Sequence, residues 1–247
     1  MNWAGDHHLS VAEPMVRLLI HVEGETEETF VNEVLAPHLY RHGFTSVGAR
    51  LLGNARMRER RGGIRAWQSV RNDIVRHLKE DAGAASATFV DFYALPASGQ
   101  GAWPGRNAAN AVAFGTKSSL VEQGMVNDVD DQLGTAFVDG RFFPYVVMHE
   151  FEGLLFSNPT ALCTGIGRPD LIAHFEGIRS EFHSPEEIND SPITAPSKRI
   201  VAVVPGYQKP LFGTLAALEI GLDGIRAECP FFNAWIARLE AWGESRS

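Results

Sequence analysis

Four apolar runs, each followed by a helical pattern, constrain this chain more than any other feature. Residues 16–22 (VRLLIHV) are almost continuously apolar and rich in branched side chains. That composition suits a strand buried on both faces, as in a parallel sheet. Glu23-Gly24 ends the run, and Thr26 offers an N-cap with Glu27 and Glu28 in the first helical turn. Phe30, Val31, Val34, Leu35 and Leu39 follow at helical spacing before His42-Gly43 closes the segment. A second strand is expected over 47–52, then a helix over 64–79 with Trp67, Val70, Ile74 and Leu78 on one face. Residues 87–93 (ATFVDFY) read as the third strand, 108–133 as helical, 142–148 (FFPYVVM) as the fourth strand and 153–162 as helical. From 160 onward amphipathic helices alternate with Pro-rich turns, and 215–242 reads as one or two helices. The alternation predicts an α/β fold: a parallel sheet flanked by helices, with a helical C-terminal part. The expected division is a flexible leader over 1–14, an α/β core over 15–157 and a helical region over 158–247 packed on that core.

Composition removes several classes. No apolar run approaches the roughly 20 residues of a membrane helix, and residues 1–14 lack the basic and apolar regions of a secretory signal. The two cysteines, Cys163 and Cys229, stand far apart and outside any CxxC pattern. Buried, reduced thiols in a cytoplasmic protein are expected, with no membrane partner. The net charge of -8 argues against a general nucleic-acid coat, yet residues 50–79 hold nine cations against two anions. Such segregation fits a strip facing a polyanion, and a solvated helix face would account for it equally well. Gly99, Gly101 and Gly105 lack dinucleotide-binding spacing, and Asp128, Asp130 and Asp131 lack the glycine and glutamate of a calcium loop. Trp235 and Trp242, seven apart beside Ile236 and Leu239, read as core packing.

The candidate chemistry lies at strand ends. Glu23, Asp91 and Glu150, with Glu152 one pleat further on, close three of the four expected strands. C-terminal strand ends of a parallel sheet share one edge, where open α/β sheets bind ligands. Converging carboxylates repel unless a cation lies between them, and hard oxygen donors favour magnesium or manganese over zinc. Any one of these acids alone is more often a helix cap or a salt-bridge partner, and it is three at one edge that point toward metal. His149 is expected to orient its neighbours rather than ligate.

The segment 22–27 (VEGETE) resembles the first motif of Toprim domains, in which an apolar strand delivers a glutamate followed by glycine. Together with 91–93 (DFY), 149–156 (HEFEGLLF) and 191–199 (SPITAPSKR), it resembles an uncharacterised bacterial domain-of-unknown-function family. That family is related to the Toprim nucleases of the overcoming-lysogenization-defect class. The resemblance implies that Glu23 is the Toprim glutamate and Asp91 the first acid of its D-x-D motif. Tyr93 stands where that motif has its second acid, so Glu150 or Glu152 would supply the missing oxygens. It also implies a late catalytic lysine, Lys209, with Lys198 the competing choice.

These readings imply a metal-dependent phosphodiesterase or nuclease acting on DNA or RNA, of the kind used in phage defence. Its metal ligands would be Glu23, Asp91 and Glu150, with Glu152 and Lys209 completing the catalytic set. Arg56, Arg58, Arg60, Arg61 and Arg65, with Lys198 and Arg199, would track the phosphate backbone. The relatives imply an ATPase partner, and a homo-oligomer stays open. The alternatives are a catalytically idle regulatory module that binds an ATPase or nucleic acid, which Tyr93 favours, and a phosphoryl-transfer enzyme acting on nucleotides.

Overall fold

A strand buried on both faces needs neighbours on both edges, and β1 (Arg17–Val22) has them. In the computed structural model, which describes residues 15–53, 63–134, 140–188 and 194–246, β1 pairs in parallel with β2 (Ser46–Leu51) on one side and β3 (Ala84–Asp91) on the other. Strand β4 (Phe142–Val147) adds to β3, also in parallel, giving the order β2-β1-β3-β4. The expected leader, 1–14, lies outside the described residues.

The helices divide between the two faces as right-handed crossovers require. The β1-to-β2 connection runs through α1 (Glu25–Phe30), a π-helical turn (Val31–Leu35) and α2 (Ala36–Tyr40). Its apolar stripe, Phe30, Val31, Leu35 and Leu39, packs on Leu18, Ile20, Val22 and Phe89. The next two connections run the opposite way across the sheet, so α3 (Trp67–Glu80) and α4 (Phe114–Leu133) cover the other face with Trp67, Val70, Ile74, Val121, Met125 and Val129. Period-two alternation makes the division visible in β4, where Phe143, Tyr145 and Val147 join the first core while Phe142 and Val146 join the second.

One crossover cannot cover a four-stranded face, and the C-terminal helices complete it. After α5 (Glu152–Leu155), α6 (Pro159–Gly165), α7 (Ile172–Arg179) and α8 (Pro196–Val203), the chain ends in α9 (Thr214–Glu228) and α10 (Pro230–Glu244). Trp235 of α10 is fully buried, stacks on Tyr145 at 5.0 Å and donates its indole N–H to the Phe143 carbonyl at 3.0 Å. Trp242 is buried too, as its spacing from Trp235 predicts. Cys163 and Cys229 are free, buried thiols. Among the described residues no helix is long and apolar enough to cross a membrane.

The structure corrects several expected boundaries. Helix α1 is capped by Gly24, not Thr26, so it starts straight after the strand and Thr26 becomes a buried residue inside it. A Cβ on Gly24 would sit 3.0 Å from a Glu27 carboxylate oxygen, which is why glycine suits that close turn. Strand β3 stops at Asp91, and residues 92–94 form a 3-10 turn instead of a continuing strand. Segment 108–133 splits into a short 3-10 turn (Ala108–Ala111) and α4, because Val112 is extended. Pro159 and the Asn158 side-chain cap likewise divide 153–162 into α5 and α6. Two helices, α9 and α10, occupy 215–242, separated at Cys229-Pro230.

Candidate active site

Successive connections leave β1 and β3 in opposite directions, so the crevice between their C-terminal ends is the topological switch point of this sheet. Glu23 is the first residue past β1, and Asp91 is the last residue of β3. Since Val22 pairs with Phe89, Glu23 lies one residue short of Asp91 at the same edge of the sheet. They share a cavity of about 290 Å³ with Thr26, Glu27, Gly63, Glu152 and Lys209. Oε2 of Glu23 and Oδ1 of Asp91 are shielded from solvent and have no hydrogen-bond partner among the described residues. Buried carboxylate oxygens without donors are costly, and they mark a place where a cation or a ligand proton would be stabilised.

Glu150 and Glu152 do not extend β4 as pleated neighbours. The strand ends at Val147, and His149 takes a left-handed φ of +75°, which costs roughly 1–2 kcal/mol for a residue with a Cβ. The His149 ring packs between Tyr93 and Phe114, with centroids 5.1 and 5.8 Å away. This corner turns the chain into α5, so Glu152, only 2% exposed, enters the cavity from the first helical turn. Glu150 is placed differently. Its Oε2 accepts the Ser197 N–H at 3.0 Å at the start of α8, its Oε1 lies 3.6 Å from Lys209 Nζ, and it does not line the cavity.

Lys209 opens a π-helical turn (Lys209–Gly213), a geometry that recurs at functional sites. Its ammonium donates to Glu152 Oε2 at 3.2 Å. Close packing fixes the turn against α1, since a Cβ on Gly213 would come within 3.0 Å of Thr26 Cγ2. Burial alone would lower the lysine's affinity for its proton, but Glu152, Glu150 and Asp91 outweigh it and hold the ammonium above its ordinary range. The acids respond in the opposite sense. Burial drives Asp91 well above the usual carboxylate range, and Glu23, Glu27 and Glu152 push it further. Glu23 is raised by burial against a backbone hydrogen bond at Asp91. Glu152 is raised by burial against the pull of Lys209. Glu27 is raised by burial, with Glu152 and Glu23 adding to it, to about 7.

The basic residues separate into three groups. Arg56, Arg58, Arg60 and Arg61 lie outside the described residues. Gly63, the first described residue after them, lines the cavity and donates its N–H to the Glu23 carbonyl at 2.9 Å. Arg65 points elsewhere and pairs with Asp73 at 3.1 Å. Lys198 is exposed on α8 and does not line the cavity, while Arg199 bonds the Thr194 carbonyl and lies over Phe182.

With this geometry in place, the comparison with known proteins is specific in extent. A family described as Domain of unknown function (DUF4276) matches residues 22–240. The chain belongs to that family. No curated protein and no solved structure matches it. The matched span begins at the end of β1 and runs into α10, so it takes in every residue of the acid cavity in this DUF4276 chain.

Glu27 is the cavity residue that strand-end reasoning passed over. Its signal was present: with Gly24 as the cap, Glu27 is the third helical residue, a position whose side chain reaches back toward the cap. Placing the cap at Thr26 moved it out of that register. The acids are also spread more widely than a closed cage. Among the described residues, the three metal-capable side chains whose donor atoms lie within 4.8 Å of one another are His38, His42 and Glu240, not the cavity acids.

Proposed function

We propose that this DUF4276 protein is a divalent-metal-dependent phosphodiesterase acting on DNA or RNA, with its reaction centre in the switch-point cavity. The observation that carries the reading is the pair of buried, unpartnered carboxylate oxygens on Glu23 and Asp91, facing a cavity that also holds an ammonium. Their resemblance to the Toprim glutamate and first aspartate supports the same assignment. The donor set fits magnesium or manganese: its ligand atoms are hard oxygens, and among the described residues no histidine lines the cavity. Magnesium keeps several waters and takes one or two carboxylates rather than a full protein cage, so two acids would be enough.

Glu23 and Asp91 would hold the ion, with Glu152 and Glu27 within reach of its waters. When bound, such an ion supplies charge neutralisation at a phosphate oxygen and acidifies water. Lys209, held by Glu152, would set its ammonium against the phosphoryl oxygens, on which negative charge develops in the transition state. Glu27, titrating near 7, is suited to take a proton from the attacking water. Glu150 positions Lys209 and caps α8. A cytoplasmic setting belongs to the same proposal through the unpaired thiols Cys163 and Cys229, and an ATPase partner through the resemblance alone.

The test is cleavage of linear, circular and single-stranded DNA and of RNA in manganese or magnesium. Cleavage that disappears in a folded Glu23→Gln variant supports the reading, and cleavage that survives in it refutes it. The second reading, an idle module that binds nucleic acid or an ATPase, is favoured by the wide spacing of the acids and by Tyr93. It expects no metal-dependent rise in melting temperature at millimolar magnesium.

A further inference from the structure

The first helical run separates two chemically different clusters. From residue 25 to 40 it covers 16 residues through α1, the π turn and α2, roughly 24 Å at about 1.5 Å per residue. The acid cavity lies at its start, and His38 and His42 lie at its end, beside α10. His38 and His42 are four residues apart, as are Glu240 and Glu244 on α10, so each pair shares one side of its segment. His38 Nε2 lies 2.5 Å from Glu240 Oε1, and His42 Nε2 lies 3.7 Å from the same oxygen. The two imidazoles are 4.6 Å apart between ring centres.

The surroundings orient these donors as a metal site requires. His42 Nδ1 is 2.7 Å from Glu244 Oε1. A carboxylate there fixes the proton on Nδ1 and leaves the Nε2 lone pair toward Glu240, which is how carboxylates orient metal-binding histidines. Glu240 is steadied by Arg226, which bonds both of its oxygens, and Arg226 is itself held by the Asn233 side chain. His38, His42 and Glu240 are 12, 27 and 14% exposed, so an ion could enter from solvent and still be partly shielded.

We propose that His38, His42 and Glu240 form a second metal site, for zinc or another late first-row divalent ion, with water in the fourth position. Two imidazoles exclude magnesium and calcium as the preferred guests. Tetrahedral zinc with bonds of about 2.0–2.1 Å sets its donors roughly 3.3 Å apart. The observed separations of 2.5 and 3.7 Å bracket that value. Small rotations of the two rings admit the ion, and Arg226, whose NH1 lies 3.4 Å from His38 Nε2, moves its hold to Oε2. The ion would tie the end of α2 to the last helix, which helps close the sheet face carrying Tyr145 and Phe143. The role is structural and does not depend on the chemistry of the acid cavity.

The full-length chain, stripped with chelator and titrated with zinc chloride by calorimetry, tests this. One equivalent that depends on His42 should bind, apart from any zinc taken up by the acid cavity, and micromolar zinc should raise the melting temperature through these residues where millimolar magnesium does not. Glu244→Ala, at a 61% exposed side chain, should weaken zinc by about 10–100-fold. His42→Gln, which removes a ligand itself, should weaken it further than Glu244→Ala does, while Glu23→Gln leaves the His42-dependent equivalent unchanged. Cobalt in place of zinc should give a tetrahedral visible spectrum that His42→Gln abolishes. No zinc-dependent stabilisation, or stabilisation that persists in His42→Gln, overturns the site and leaves these residues as an ion-pair network between helices.

Discussion

Replacing Glu27 with glutamine isolates what burying this acid in the cavity costs the fold. The side chain is 8% exposed, and burial raises its carboxyl from the ordinary 4.5 to about 7. A folded-state value above the unfolded one means the folded chain prefers the protonated acid. The contribution of that proton is fully present below about pH 4.5 and is lost as pH rises through 7. The difference of about 2.5 units, at about 1.4 kcal/mol each, amounts to roughly 3 kcal/mol by pH 8 and about 1 kcal/mol at pH 5. Glutamine keeps the shape and removes the titration. For 247 residues, an unfolding entropy of about 2.1 cal/mol/K per residue converts 3 kcal/mol into about 6 °C. In chelator, Glu27→Gln should therefore melt about 6 °C above the parent at pH 8 and about 2 °C above it at pH 5. Millimolar magnesium or manganese should shrink or invert the gap at pH 8, because the parent regains stability that the variant cannot. Melting followed by both circular dichroism and calorimetry reads the effect. Equal melting temperatures at pH 8 in chelator, or a gap independent of pH, would refute the reasoning.

Three other perturbations probe separate parts of the structure. Glu122 on α4 accepts the Val146 N–H at the outer edge of β4 at 2.9 Å, and burial raises it to about 7. Glu122→Gln should also gain stability at pH 8 and little below pH 4.5, but with no response to magnesium, which makes it a control for Glu27. Trp235→Ala removes a buried indole, its stack on Tyr145 and its bond to Phe143. It should cost about 3–5 kcal/mol, read as a fall of roughly 6–10 °C in melting temperature. Gly213→Val should clash with Thr26, cost about 1–3 kcal/mol and shift the turn that carries Lys209. Metal-dependent cleavage should then fall further than the melting temperature alone accounts for, with rescue by Thr26→Ser as the check.

Strand positions were legible because burial on two faces leaves a one-dimensional trace: 16–22 and 142–148 fall within a residue of β1 and β4. The helix capped at residue 24 was harder. Gly24 has no side chain to cap with, and Thr26 looks like a cap by residue type. What marks the start is the Gly24 carbonyl, which already accepts the Glu28 N–H at 3.0 Å, and that is a three-dimensional fact. The end of β3 failed for a related reason. Phe92 and Tyr93 have strand propensity, but Phe92 is needed in the second core and Arg106 lies over its ring at 3.9 Å, with its guanidinium bonded to the Phe92 carbonyl. Tertiary contacts override local preference there.

That early end to β3 explains why the other cavity carboxylates come from helices. Tyr93, two residues past Asp91, lies in the 3-10 turn and stacks on His149, so an acid at its place would not continue the edge of the sheet. The acids that join Glu23 and Asp91 instead stand in the first turns of α1 and α5. Those turns are held by the C-terminal third: Lys209 bonds Glu152, Ser197 bonds Glu150, and Gly213 packs on Thr26. Among the described residues the cavity's cation and the cover of the sheet face above it therefore come from the same helical region, which shares one apolar core with β1, β3 and β4. A change that loosens α9 or α10 acts on the electrostatics of the cavity through Lys209, without touching a carboxylate.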